Sequence, residues 1–115
     1  MTVIFTGPDG QSHFREETLG PGADRRAVVW PRHPAAGWEI TETPVGFCGA
    51  FGTTRKVRTL VVLEGQLEIG VGGGEARVFA PGDVIHATDT EGQGHTSAVV
   101  GPGPCRVLNI LSAPD

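Results

Sequence analysis

Basic residues are scarce. Nine lysines and arginines face thirteen aspartates and glutamates, which leaves a formal net charge of −4 and an isoelectric point near 5.5. A surface of that sign has no general attraction for phosphate backbones or anionic lipid, so neither nucleic acid nor a membrane is expected as a partner. Long apolar runs are missing as well: stretches such as residues 60–63 fall far short of a spanning segment, and Met1-Thr2-Val3-Ile4 lacks the basic start and apolar run of a secretory signal. A cytoplasmic location is therefore expected. There are only two cysteines, Cys48 and Cys105. They are too few and too far apart for a disulfide framework or a paired-cysteine metal site, and the usual fate of such residues is a buried free thiol.

Several reactive motifs are also absent. Residues 70–74 are glycine-rich but lack the Lys-Ser/Thr ending and following helix of a phosphate loop, which leaves a hairpin turn. No Gly-x-Ser-x-Gly elbow and no His-Glu-x-x-His pattern occurs. Cys48 has no histidine beside it and no visible helix start to activate it as a nucleophile.

Turn formers, by contrast, are plentiful: eighteen glycines and nine prolines in 115 residues. Helix interiors tolerate neither, so a turn-rich β domain is the expected class, and the length suits one core. Val3-Ile4-Phe5 reads as a strand closed by Thr6-Gly7-Pro8-Asp9-Gly10, with a second short strand around Ser12 and Phe14. Residues 19–37 carry Pro21, Pro31 and Pro34 and read as an irregular surface connection pinned by Trp30 and Trp38. A mixed segment over 45–51 leads into the strongest strand signals. Residues 57–63 read as a buried strand and 66–71 as an alternating one. Further strands read at 76–79, 84–87, 95–100 and 105–111, separated by turns such as Pro81-Gly82-Asp83. Short strands at this spacing indicate an antiparallel sandwich or closed barrel.

Three signals occur in order: Val62-Leu63-Glu64-Gly65, then Pro81-Gly82-Asp83, then Asp89-Thr90-Glu91-Gly92-Gln93-Gly94-His95. In this the chain resembles the cupin family of small jelly-roll β-barrels, in particular its short single-domain bacterial members. The resemblance implies an all-β fold with a single cupin-type barrel over 1–115, in which 1–45 supplies N-terminal strands and an irregular lid segment and 46–115 the barrel core. Metal-binding cupins place two histidines and a glutamate ahead of the first-motif glycine and a third histidine in the second motif. Here those first positions fall on or near Gly52, Thr54 and Arg58, and only His95 matches. One imidazole is too few, because catalytic sites use about three protein ligands, and a guanidinium has no lone pair to offer. No resident metal is expected; the alternative is one divalent transition metal held through His95 in a rearranged site.

The resemblance places His95 at the barrel mouth, where an imidazole can do acid or base work near neutral pH. It turns Arg58 inward, where the cation needs either a fixed carboxylate such as Asp89 or Glu68 or an anionic ligand. His86 shares the side of its strand with Val84, so it faces the cavity only if Val84 does. Asp89 either orients His95 or His86 or caps its loop. Trp38, Phe47 and Phe51 either close the core or roof an apolar pocket, and with Asp89 they are the expected substrate-contacting set.

The expected function is a metal-independent tailoring enzyme of secondary metabolism, an isomerase, lyase or cyclase acting on a largely apolar carbonyl compound. Its catalytic set is His95, Arg58 and His86. The alternatives are a metal-dependent dioxygenase-like cupin and a non-catalytic ligand-binding cupin. A small-molecule substrate and a homodimer are expected, the latter through two-fold pairing of the N-terminal strand.

Overall fold

Runs of alternating apolar and polar residues, each cut short by glycine, proline or a turn-forming aspartate, have little choice but to pair as strands. The computed structural model describes residues 1–18 and 32–113, and the backbone alone at 20–21 and 28–29. The strands are β1 (Thr2–Thr6), β2 (Ser12–Glu16), β3 (Gly20–Pro21), β4 (Val28–Val29), β5 (Ala35–Thr43), β6 (Cys48–Gly52), β7 (Arg58–Glu64), β8 (Gln66–Gly70), β9 (Ala76–Phe79), β10 (Val84–Ala87), β11 (His95–Val100) and β12 (Cys105–Ser112). Among the described residues the one helical element is a 3-10 turn at Gly72–Gly74, where the sequence has its glycine run. No helix is long and apolar enough to cross a membrane.

Two sheets form a jelly roll. The larger has the order β2-β1-β10-β7-β12-β5 and the smaller β6-β11-β8-β9. Their facing sides bury Ile4, Val62, Ile69, Val71, Phe79, Ile85, Val99, Cys105 and Val107, with Phe14, Leu60 and Leu67 packed against them. Alternation along each strand makes this core. On β12, Cys105, Val107 and Asn109 point inward while Arg106 is exposed and pairs with Glu42 and Glu64 at 2.9 and 3.0 Å. The buried Asn109 amide donates to the Thr41 hydroxyl at 3.1 Å, so this polar inward residue is satisfied.

Four sequence expectations change here. Residues 35–43, where the sequence shows the end of an irregular connection and no clear strand signal, form the nine-residue strand β5, which pairs along β12. Residues before 46 thus contribute three of the six strands of the larger sheet. Strand β1 is hydrogen-bonded on both sides, antiparallel to β2 and parallel to β10, so it has no free edge to pair across a two-fold axis. Cys105 is buried and its thiol pKa is pushed up by that burial, as expected of a core thiol, but Cys48 is exposed. The pinning role expected of Trp30 lies outside the described residues.

Candidate functional site

Residues of both sheets enclose a cavity of about 340 Å³. Inward positions of both sheets line it: Arg58 and Leu60 on β7, Ala87 on β10, Leu67 and Ile69 on β8, His95 and Ser97 on β11. Thr53, Thr54 and Arg55 form its rim. Register explains the grouping. Ala87 lies opposite Arg58 across β10 and β7, and His95 lies opposite Gly52 across β11 and β6.

The loop from Thr88 to Gly94 is held in place from two sides. The Gln93 amide donates to the Gly10 carbonyl at 2.8 Å, and the Thr54 amide donates to the Asp89 carbonyl at 3.2 Å. Gly94 has φ +79°, and a Cβ there would lie 2.1 Å from the Gly52 carbonyl oxygen. Only glycine allows the loop to come this close before it enters β11. The Asp89 side chain consequently turns into the protein and is fully buried. Its Oδ2 accepts from the Ser12 hydroxyl at 2.6 Å and from His95 Nδ1 at 2.5 Å. Among the described residues Oδ1 has no partner.

An ionised carboxylate can only accept, so with Asp89 ionised the proton of this bond lies on Nδ1 of His95, and in the neutral imidazole Nε2 is then the nitrogen with a lone pair. Asp89 therefore holds His95 by a hydrogen bond, and, fully buried and outside the cavity lining, it does not take the substrate-contacting place expected from sequence. Ser12 was missed by sequence reasoning because 77 positions separate it from Asp89 and nothing local marks it. The tight turn before β2 places it, with the Gly7 amide donating to the Gln11 carbonyl at 2.8 Å and the Gln11 amide to the Asp9 carboxylate at 3.0 Å.

Arg58 shares the cavity with His95, and its Nε is buried without a hydrogen-bond partner among the described residues. The fixed carboxylates considered from sequence do not meet it. Asp89 is engaged by Ser12 and His95, and Glu68 lies between the inward residues Leu67 and Ile69, on the opposite side of its strand.

Other expected site residues lie elsewhere. His86 is on the outer side of the larger sheet, one position out of phase with the cavity residue Ala87. It is buried there, bonded through Nδ1 to the Thr59 hydroxyl at 3.0 Å, with the His33 ring 5.6 Å away, and borders a separate pocket of about 190 Å³. Burial, then the neighbouring His33, holds its pKa below the ordinary histidine value. Trp38 is 70% exposed on the edge strand β5, and Phe47 and Phe51 are about half exposed. None of the three lines the His95 cavity, and none belongs to the core cluster.

Two larger grooves lack comparable chemistry. One of about 500 Å³ runs along Met1, Thr2, Glu16 and Arg77, where the charges satisfy one another: Arg77 reaches Glu16 at 2.8 Å, and Thr2 donates to the same carboxylate. The other, about 620 Å³, is an apolar trough between Trp38, Ile40, Leu63, Leu108 and Ile110 on the outer sheet face.

The cavity residues do not fit a metal. Gly52 has no side chain, the Thr54 hydroxyl donates to the Lys56 carbonyl at 2.7 Å, and Arg58 brings a positive charge to the same space. Among the described residues no three histidine, cysteine, aspartate or glutamate side chains converge.

Solved structures with the same fold include the cupin domain of Cnp3 from Schizosaccharomyces pombe, 14% identical, with 89% of this chain and 73% of that one aligned at a TM-score of 0.55. A protein from Salmonella typhimurium, provisionally described as ethanolamine utilization protein Q, is 15% identical over 100% of this chain and 96% of its own, at a TM-score of 0.52. A conserved protein of unknown function from Streptococcus pyogenes is 18% identical over 78% of this chain and 73% of its own, also at 0.52. No family model and no curated protein matches the sequence. At these identities the likeness establishes the fold, which is that of a small cupin.

Proposed function

We propose that this cupin-fold chain is a metal-independent enzyme that moves a proton on a small, largely apolar carbonyl compound, in the isomerase, lyase or cyclase class. The observation that carries the reading is the Ser12-Asp89-His95 chain ending beside Arg58 in one cavity. Asp89 holds the imidazole in one tautomer, and Nε2 is then the base that removes a proton from the carbon next to the carbonyl. The electron pair left on that carbon moves into the carbonyl, whose oxygen becomes an enolate oxygen. A guanidinium lacking a fixed carboxylate is suited to stabilise that charge. Return of the proton from His95 to another position of the enolate completes an isomerisation with no redox change. Leu60, Leu67, Ile69 and Ala87 would hold the apolar body of the substrate in its reactive shape.

Deuterium uptake tests this without a known substrate. Small cyclic and aryl ketones are incubated in D2O with protein, and exchange at the carbon next to the carbonyl is followed by proton NMR. Exchange above buffer is expected with the wild type. His95→Ala should lower it by about two to four powers of ten at an unchanged melting temperature. No exchange above buffer with any ketone, or equal exchange by His95→Ala, would exclude the reading.

The same proposal includes a homodimer, supported by the exposed apolar trough beside edge strand β5. A cytoplasmic setting is supported by the scarcity of cysteine.

A further inference from the structure

Four consecutive residues, Arg55-Lys56-Val57-Arg58, carry three cations in a chain whose net charge is −4. Arg55 and Arg58 both line the cavity, and among the described residues neither has a hydrogen-bond or ion-pair partner. Among the other described arginines, Arg15 pairs with Glu17, Arg77 with Glu16, and Arg106 with Glu42 and Glu64, whereas the exposed Arg32 pairs with none of the described residues. What sets Arg55 and Arg58 apart is that they share one cavity with His95, whose Nδ1 is held by Asp89.

The two guanidinium groups differ in depth. Arg58 opens β7 with a buried Nε and stands beside apolar Leu60, whereas Arg55 is exposed on the preceding loop next to Thr53. A neutral ketone gives only the deeper cation a partner. A ligand with a carbonyl inside and an acid group at the opening gives both of them one.

We propose that the ligand of this cavity is a carbonyl-bearing carboxylic acid, with its carboxylate received by Arg55 at the rim and its carbonyl oxygen facing Arg58. This rests on the proton-transfer reading for the role of the carbonyl. The carboxylate site stands on the unpaired rim cations alone. A planar carboxylate matches the guanidinium fork in a two-point contact. Phosphate is less well served, because its sites commonly add a helix N-terminus or converging backbone amides, and here the rim offers side chains on a loop.

The test uses 4-oxo-4-phenylbutanoate and its methyl ester as probes, with binding to the full chain measured by calorimetry at low salt. The wild type should bind the acid about tenfold more tightly than the ester. Arg55→Gln should bring the two together by weakening the acid and leaving the ester unchanged. Arg55→Lys should give an intermediate ratio, since it keeps charge and loses the planar contact. Added salt should weaken the acid and not the ester.

Equal binding of acid and ester by the wild type, binding of neither at millimolar concentration, or a ratio that survives Arg55→Gln would overturn the proposal. So would displacement of the acid by inorganic phosphate at concentrations where acetate has no effect. His95→Ala separates this inference from the reading beneath it. It should leave the acid-to-ester ratio intact, so a preserved ratio without deuterium exchange in the wild type refutes proton transfer and leaves the carboxylate site standing.

Discussion

Replacing Ser12 by alanine isolates the hydroxyl that holds the buried carboxylate. Ser12 and Asp89 are both fully buried, and the bond between them is 2.6 Å long. The acceptor is a carboxylate oxygen, so its loss belongs with hydrogen bonds to charged groups, at about 1.5–3 kcal/mol. The methyl group left behind brings no new unsatisfied donor. Asp89 is left with His95 as its one side-chain partner, since Oδ1 has none among the described residues. Unfolding entropies of about 2.1 cal/mol/K per residue give roughly 0.24 kcal/mol/K for a chain of this length. Ser12→Ala should therefore lower the melting temperature by about 6–12 °C. Circular dichroism melts at neutral pH measure this directly. Ser97→Ala is the control: Ser97 lines the same cavity but its hydroxyl has no hydrogen bond among the described residues, so its melt should stay within about 2 °C of the wild type. A Ser12→Ala melt equally close to the wild type would refute the claim that this hydroxyl stabilises the carboxylate that orients His95.

Four further outcomes are expected. Gly94→Ala combines a left-handed backbone with a methyl group 2.1 Å from the Gly52 carbonyl oxygen, so it should cost more than about 3 kcal/mol in urea unfolding. Gly73→Ala, at φ +84° with open space around it, should cost about 1–2 kcal/mol. Burial lowers the His86 pKa in the fold, so His86 contributes stability above the ordinary value of 6.5 that is lost as pH falls through the lower folded value. His86→Gln should reduce the dependence of chemical denaturation on pH just below 6.5, by up to about 1.4 kcal/mol per pH unit; an unchanged dependence would show that another group controls it. Trp38→Asp places a charge in the apolar trough, and sedimentation should show a dimer for the wild type, as proposed, and a monomer for the variant. A wild type already monomeric at high micromolar concentration removes the dimer from the proposal.

Period-2 alternation and turn chemistry determine most of the strands by themselves, because each is bounded by residues that cannot continue it. The Pro81-Gly82-Asp83 turn before β10 and the glycine run after β8 are local features, read where they occur. Strand β5 was less legible. Its Trp38 and Ile40 alternate with the polar Glu39 and Thr41, yet the strand lies at a sheet edge with these apolar side chains exposed, and the prolines and glycines ahead of it weaken the signal. The likeness of Asp89-to-His95 to a known motif pointed to His95, and the spacing ahead of the first-motif glycine Gly65 pointed to Arg58. Alternation also stated the condition on His86, but which side of β10 faces the cavity depends on the pairing of Ala87 with Arg58.

Three things waited for the tertiary structure. Ser12 reaches Asp89 only because the turn before β2 meets the loop after β10. Arg58 lacks a carboxylate only because Asp89 is held by two donors and Glu68 faces the other side of β8. Trp38, Phe47 and Phe51 sit outside both core and cavity because other side chains from the two sheets already fill the space between them. Each is a contact, or a missing contact, between segments far apart in sequence. Local preference cannot decide such contacts, because they are set by which sheet faces which and by how closely two backbones approach.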